Sequence, residues 1–148
     1  MRDAARARSR LALLRIGTAG VVLDQSEVLG VEARHDVRPG AEDGVERIEF
    51  GAAQRPVFAL DGALAPIALD QATGRVCAML GSGDAVYGLL CDELEILGDA
   101  EVSGHPLPAA MRWPGTPVLG LVRARERLAV RSSARELARH LGVQRTLE

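Results

Sequence analysis

Gly20-Val21-Val22-Leu23-Asp24-Gln25-Ser26-Glu27-Val28-Leu29-Gly30 and Gly88-Leu89-Leu90-Cys91-Asp92-Glu93-Leu94-Glu95-Ile96-Leu97-Gly98 are the two stretches that decide the fold. A shift of 68 positions lays one on the other without a gap; five of the eleven positions are identical, and Val21, Val22 and Val28 meet aliphatic partners. The same shift sets Leu60 on Leu128. One pattern written twice predicts two units of the same kind.

Outward from the repeat, short apolar runs alternate with glycine turns. Leu11 to Ile16 and Val21 to Leu23 flank Gly17-Thr18-Ala19-Gly20, and Arg75 to Leu80 and Val86 to Cys91 flank Gly81-Ser82-Gly83-Asp84-Ala85. Each pair reads as a β-hairpin. Each half then runs through a proline-glycine loop, Arg38-Pro39-Gly40-Ala41 or Trp113-Pro114-Gly115-Thr116, to a late strand. Halves this small cannot cover both faces of an open sheet, so closure into small barrels is expected, with a groove between them suited to a peptide or helix. The period changes only at the end. Ser133-Ala134-Arg135-Glu136 has the form of a capping box, followed by a helix with Leu137 and Leu141 on one face and Arg135 and Arg139 on another, ending at Gly142.

These boundaries give a basic flexible tail over residues 1–10 and a single domain over residues 11–142. Within the domain the first barrel is placed at about 11–70, the second at about 71–131 and the helix at about 133–141. A chain of 148 residues buries roughly 68–70% of its unfolded surface and needs no staples. Hydrophobic residues make up 47% and aromatics only 3%, so Leu, Val and Ala fill the core.

All 18 basic residues are arginine, but the net charge of −2 gives no global field for nucleic acid. Cys77 and Cys91 lie in apolar runs without the spacing of a metal knuckle or redox motif, which predicts buried free thiols and a reducing compartment. Four arginines crowd the first ten residues, and the apolar run from Leu11 is cut by Arg15. Neither a secretion leader nor a membrane span is predicted, and the expected location is cytoplasmic.

The order of these stretches resembles the CheW-like family of chemotaxis adaptors over roughly residues 9 to 142. The early strand with two spaced valines falls on Val28 and Val31. The proline-glycine loop follows at Arg38 to Ala41, and Pro56-Val57-Phe58-Ala59-Leu60 stands where the family writes Pro-Val-Val-Asp-Leu. Gly88-Leu89-Leu90-Cys91-Asp92-Glu93-Leu94 resembles Gly-Leu-Leu-Val-Asp-Glu-Val, and Leu128 to Ser133 with Glu136-Leu137 resembles the last strand and its helix. The resemblance implies a mainly β, SH3-like fold: two intertwined five-stranded β-barrels with a C-terminal α-helix. It also implies a non-enzymatic adaptor that couples a chemoreceptor cytoplasmic tip to the regulatory domain of a CheA-type histidine kinase, with no cofactor and no metal. The partner-binding residues it points to are Val28, Val31, Phe50, Gly51, Asp92 and Leu94.

Three positions depart from the family. Ile48-Glu49-Phe50-Gly51 stands where the family has Asn-Leu-Arg-Gly, so a phenylalanine replaces the arginine; Gly30 replaces an acid and Ala59 the strand aspartate. Losing a cation and an anion changes partner preference, because electrostatic complementarity sets specificity. Phe50 is either a buried seam residue or a partner contact.

His35, His105 and His140 sit in no catalytic motif and read as surface residues; Asp92, Glu93 and Glu95 read as solvated or capping acids. Arg123, Arg125 and Arg127 read as a solvated hairpin tip, and the alternative function is a small arginine-bearing barrel that binds nucleic acid. That role wants aromatic stacking platforms, which one Trp, one Tyr and two Phe do not supply. Trp113 is a core plug of the second barrel, with an exposed partner anchor as the alternative.

Overall fold

The computed structural model describes residues 10–40, 44–83 and 85–143. Most of the basic tail, Ala41 of the first proline-glycine loop and Asp84 of the second glycine turn lie outside the described residues. The fold is mainly β. Its strands are β1 (Arg10–Ile16), β2 (Ala19–Asp24), β3 (Val28–Ala33), β4 (Arg47–Phe50), β5 (Ala53–Leu60), β6 (Pro66–Ile67), β7 (Val76–Ser82), β8 (Ala85–Cys91), β9 (Glu93–Gly98), β10 (Val102–His105), β11 (Gly120–Ala124) and β12 (Arg127–Arg131). A single α-helix among the described residues, α1 (Ala134–Leu141), follows them.

The strands form two curled sheets, the half-barrels of the CheW-like expectation. The first runs β3-β7-β8-β5-β4, with β6 paired to β5, and the second runs β10-β11-β12-β2-β1-β9. Each has six strands. Neither sheet is drawn from one half of the chain alone. Hairpin β1–β2 belongs to the sheet of β9–β12, and hairpin β7–β8 belongs to the sheet of β3–β6. The cause lies in the side chains, since both hairpins are apolar on both faces and both faces must be covered.

On β1 and β2, Ala12, Leu14, Ile16, Val21 and Leu23 face a core shared by the two sheets, while Leu13 and Val22 turn into the second sheet's own interior with Leu97, Val122 and Ala129. On β7 and β8 the alternation repeats. Ala78, Leu80, Tyr87, Leu89 and Cys91 enter the shared core, and Cys77, Met79 and Leu90 join Ile48, Val57 and Ala59 inside the first sheet. Setting the two hairpins back to back buries every apolar face, and the seam becomes the main core of the molecule.

The repeat is visible in the ladders. Leu89 stands parallel to Phe58 and its equivalent Val21 stands parallel to Val130. Phe58 therefore answers Val130, and Leu60 answers Ser132 rather than Leu128; the register slips between the first and last parts of each half.

Helix α1 packs on β7, and so on the first sheet. Ala134, Leu137 and Ala138 are buried, and the Tyr87 hydroxyl donates to the Ala134 carbonyl at 2.7 Å. Ser133 caps the start, its Oγ accepting from the Glu136 amide at 3.0 Å, and Gly142 ends the helix with φ 73. The other half of the capping box is replaced. The Glu136 carboxylate pairs with Arg139, and a second helix-start amide, that of Ala134, donates to Glu27 Oε2 at 2.9 Å.

Candidate functional site

Strand β3 is an edge of the first sheet, and a β-bulge between Val28 and Gly30 breaks its register against β7. Bulges at edges re-aim side chains. Leu29 and Val31 are each 47% exposed, large aliphatic residues on an otherwise well-filled sheet. Gly30 lies under the Phe50 ring. A Cβ at residue 30 would sit 2.9 Å from Cε1 and 3.1 Å from Cζ of Phe50, so the ring fills the space a side chain there would need.

Phe50 ends β4, the opposite edge of the same sheet, and its half-buried ring packs against the first sheet's interior cluster. The ring thus bridges the two edges of the curl at Gly30. Gly51 and Ala52 both have φ 63 and carry the chain round an exposed turn into β5. Ala59 is 2% exposed beside Ile48 and Val57. A carboxylate there would need a buried partner, which accounts for alanine in this chain.

The remaining two candidates lie in the second half. Both oxygens of Asp92 are engaged: Oδ2 accepts from the Gly17 amide at 2.8 Å and Oδ1 from the Thr73 hydroxyl at 3.1 Å, while the Asp92 amide donates to the Arg15 carbonyl at 2.8 Å. Asp92 therefore ties three segments together. Leu94 is half-buried against the shared core and stands opposite Leu14 on β1. Val28 packs against that core too. The six residues do not form one patch: Val31, Phe50 and Gly51 belong to the accessible edge of the first sheet, whereas Val28 and Leu94 flank the seam.

The centre of the seam is filled, with Leu14, Val21, Leu80 and Leu89 inaccessible. Two cavities open beside it. One, of about 190 Å³, is lined by Gly17, Gly62, Gly74, Asp92 and neighbours. The other, of about 260 Å³, is lined by Leu64, Met111, Trp113, Val118, Val130 and His140. Trp113 is 51% exposed on this rim and is not a core plug of the second sheet. His140 is not a free surface group either; its Nε2 lies 2.6 Å from the Leu64 carbonyl.

The arginine hairpin is only partly solvated. Arg125 pairs with Glu95 at 2.7 Å and Glu101 at 3.1 Å, so its charge is committed within the protein. Cys77 and Cys91 are buried free thiols. Burial pushes both up to about 12, with Glu32 adding at Cys77, and with Cys77 and Asp92 adding at Cys91. A thiol so raised stays protonated and is a poor nucleophile. Among the described residues no three His, Cys, Asp or Glu side chains converge as a metal site, and no helix is long and apolar enough to cross a membrane.

Sequence reasoning missed Leu29 and Glu27. Leu29 lies over Gly81, whose Cβ would meet its Cδ1 at 2.8 Å, and nothing local marks that contact. Glu27 did carry a signal, since it is one of the identical positions of the repeat.

No family model matches the sequence, and no curated protein matches it. Solved structures do. The crystal structure of the scaffolding protein TtCheW from Thermoanaerobacter tengcongensis superposes with a TM-score of 0.60 at 14% sequence identity, over 84% of this chain and 83% of that chain. The likeness establishes the fold: this chain has the CheW-like architecture.

Proposed function

We propose that the chain is a non-enzymatic, cytoplasmic adaptor of chemotaxis-type signal transduction, coupling a chemoreceptor cytoplasmic tip to the regulatory domain of a CheA-type histidine kinase. The observation that carries this reading is a CheW-like fold bearing an exposed aliphatic edge, Leu29 and Val31, beside Phe50 and Gly51. Val28 and Leu94 pack beside the seam, and Asp92 fixes the β8–β9 corner. No cofactor enters. Burying a few aliphatic side chains, at roughly 1.5–3 kcal/mol each, supports a transient contact after association costs, and avidity in an array supplies the rest.

The test is Val31→Asp, assayed by capture on a receptor-tip fragment and on a kinase regulatory domain. Because Val31 is exposed, the circular-dichroism spectrum and melting temperature stay unchanged while capture falls at least tenfold. Unchanged capture removes the edge of β3 from the docking surface.

A further inference from the structure

The tip of hairpin β11–β12 is a two-residue turn, with Ala124 paired to Arg127 and with Arg125 and Glu126 at φ 51 and φ 64. Positive φ at both central residues matches the twist of a two-residue hairpin, and Asn-Gly or Asp-Gly takes it with least strain. This chain has Arg-Glu there, so two residues bearing long side chains are held left-handed. Arg125 is gripped by two carboxylates from across the sheet: its Nε meets Glu95 Oε2 at 2.7 Å and its Nη2 meets Glu101 Oε2 at 3.1 Å. Glu101 is itself fixed, its Oε1 accepting from the Gly98 amide at 3.2 Å.

Those carboxylates lie where the second sheet is open. Strands β9 and β10 are its two edges, joined through residues 99–101, and the described residues show no ladder between them. Glu95 stands opposite Leu13 and two residues before Leu97, so it shares the face of β9 that closes on Leu13, Val22, Leu97, Val122 and Ala129. A carboxylate on that face needs a cation, because an unpaired charge beside an apolar interior is costly. The turn delivers one. Arg125 follows Ala124, a member of the same interior cluster, and crosses the mouth of the sheet to Glu95 and Glu101. Left-handed strain opposes this closed form and half-exposed ion pairs favour it; the two contributions are of similar size, so neither dominates.

We infer that the β11–β12 tip is a lid over the interior of the second sheet, latched by Arg125 to Glu95 and Glu101 and released by ions that compete for those charges. The lid goes beyond the adaptor reading and stands independently of it. Its release loosens the cluster of Leu97 and Val122 while leaving hairpin β7–β8 closed, because that hairpin belongs to the other sheet and carries none of these contacts.

The experiment is native-state amide hydrogen exchange on the full chain in rising sodium chloride, over which the Debye length falls from about 10 Å at 0.1 M to about 3 Å at 1 M. Wild-type exchange in β9, β11 and β12 rises at least tenfold across that range, while β7 and β8 keep their protection. Arg125→Gln removes the charge and keeps the left-handed backbone; it shows the raised exchange already at low salt and responds little to more. Glu95→Gln does the same from the other side of the pair. Arg125→Gly removes charge and strain together and exchanges more slowly than Arg125→Gln, and Glu126→Gly, which relieves strain with the latch in place, exchanges more slowly than wild type. Salt-independent exchange in the wild-type protein overturns the lid, whether or not any variant folds. Wild-type protection in Arg125→Gln overturns it too. So does a loss spread equally over β7 and β8, since the ion pairs then support the whole domain and latch nothing.

Discussion

Removing the Glu27 carboxylate is the sharpest test of how the two ends of the chain are held together. Glu27 lies between β2 and β3 and reaches the amide of Ala134, 107 residues away, at 2.9 Å, while its other oxygen meets the Asp24 amide at 3.3 Å. The Ala134 amide is one of the donors that a helix start leaves without an intrahelical partner. A hydrogen bond to a charged group contributes about 1.5–3 kcal/mol, and the acceptor here is half-buried. A carboxylate at a helix N-terminus adds the favourable dipole interaction, about 0.3–1 kcal/mol.

Partial solvation discounts the sum, so Glu27→Ala is expected to cost about 2 kcal/mol, a fall in melting temperature of about 4–8 °C for a domain this size. Glu27→Gln keeps an acceptor and loses only the charge, and costs about 0.3–1 kcal/mol. Urea titration followed by circular dichroism gives both values, and amide exchange at Ala134 reports the local event. The loss should appear first in α1 and the start of β3 and leave hairpin β7–β8 protected. A Glu27→Ala protein that melts with wild type would refute the tie.

Three further outcomes follow from the same contacts. Cys77 and Cys91 are held protonated up to about 12, whereas the unfolded chain ionises them near 9.0; between these values the folded state binds more protons, so stability falls as pH rises through that window, and a flat alkaline limb in urea titrations would contradict it. Trp113→Ala should cost under about 1 kcal/mol, against about 3–5 kcal/mol for truncating a buried aromatic, with unfolding followed by circular dichroism. Ala52→Gly relieves a left-handed alanine at φ 63 and should stabilise by about 0.5–1 kcal/mol; a lowered melting temperature would count against strain at that turn.

The strand-rich fold, both hairpins and the terminal helix were legible in the sequence because each rests on local signals: period-two apolar runs, glycine turns, and Ser133 before an amphipathic segment. The exchange of hairpins was not legible. Apolarity on both faces of Leu11 to Ile16 announces that two sides are covered, but nothing in the run says which strands cover them. The same holds for Arg34, whose guanidinium donates to the carbonyls of Leu69, Ala72 and Gly74; these acceptors are backbone atoms and leave no mark in the side-chain pattern. At the candidate site Phe50 and Gly30 each stood out alone. Their contact depends on the curl that brings β3 toward β4, which is a property of the whole sheet.

The hairpin exchange also decides where a partner can dock. Two barrels folded from consecutive halves would meet through outer faces and leave a cleft, and the sequence reading placed the binding groove there. Exchanging β1–β2 for β7–β8 instead puts the most apolar strands of both halves at the middle, where Leu14, Val21, Leu80 and Leu89 are each essentially inaccessible. Opening that seam to admit a helix would expose the core that joins the sheets, a cost no micromolar contact could offset. On the adaptor reading proposed above, docking falls to the sheet edges. The accessible aliphatic edge closest to the candidate residues is the bulged β3, with Phe50 over Gly30.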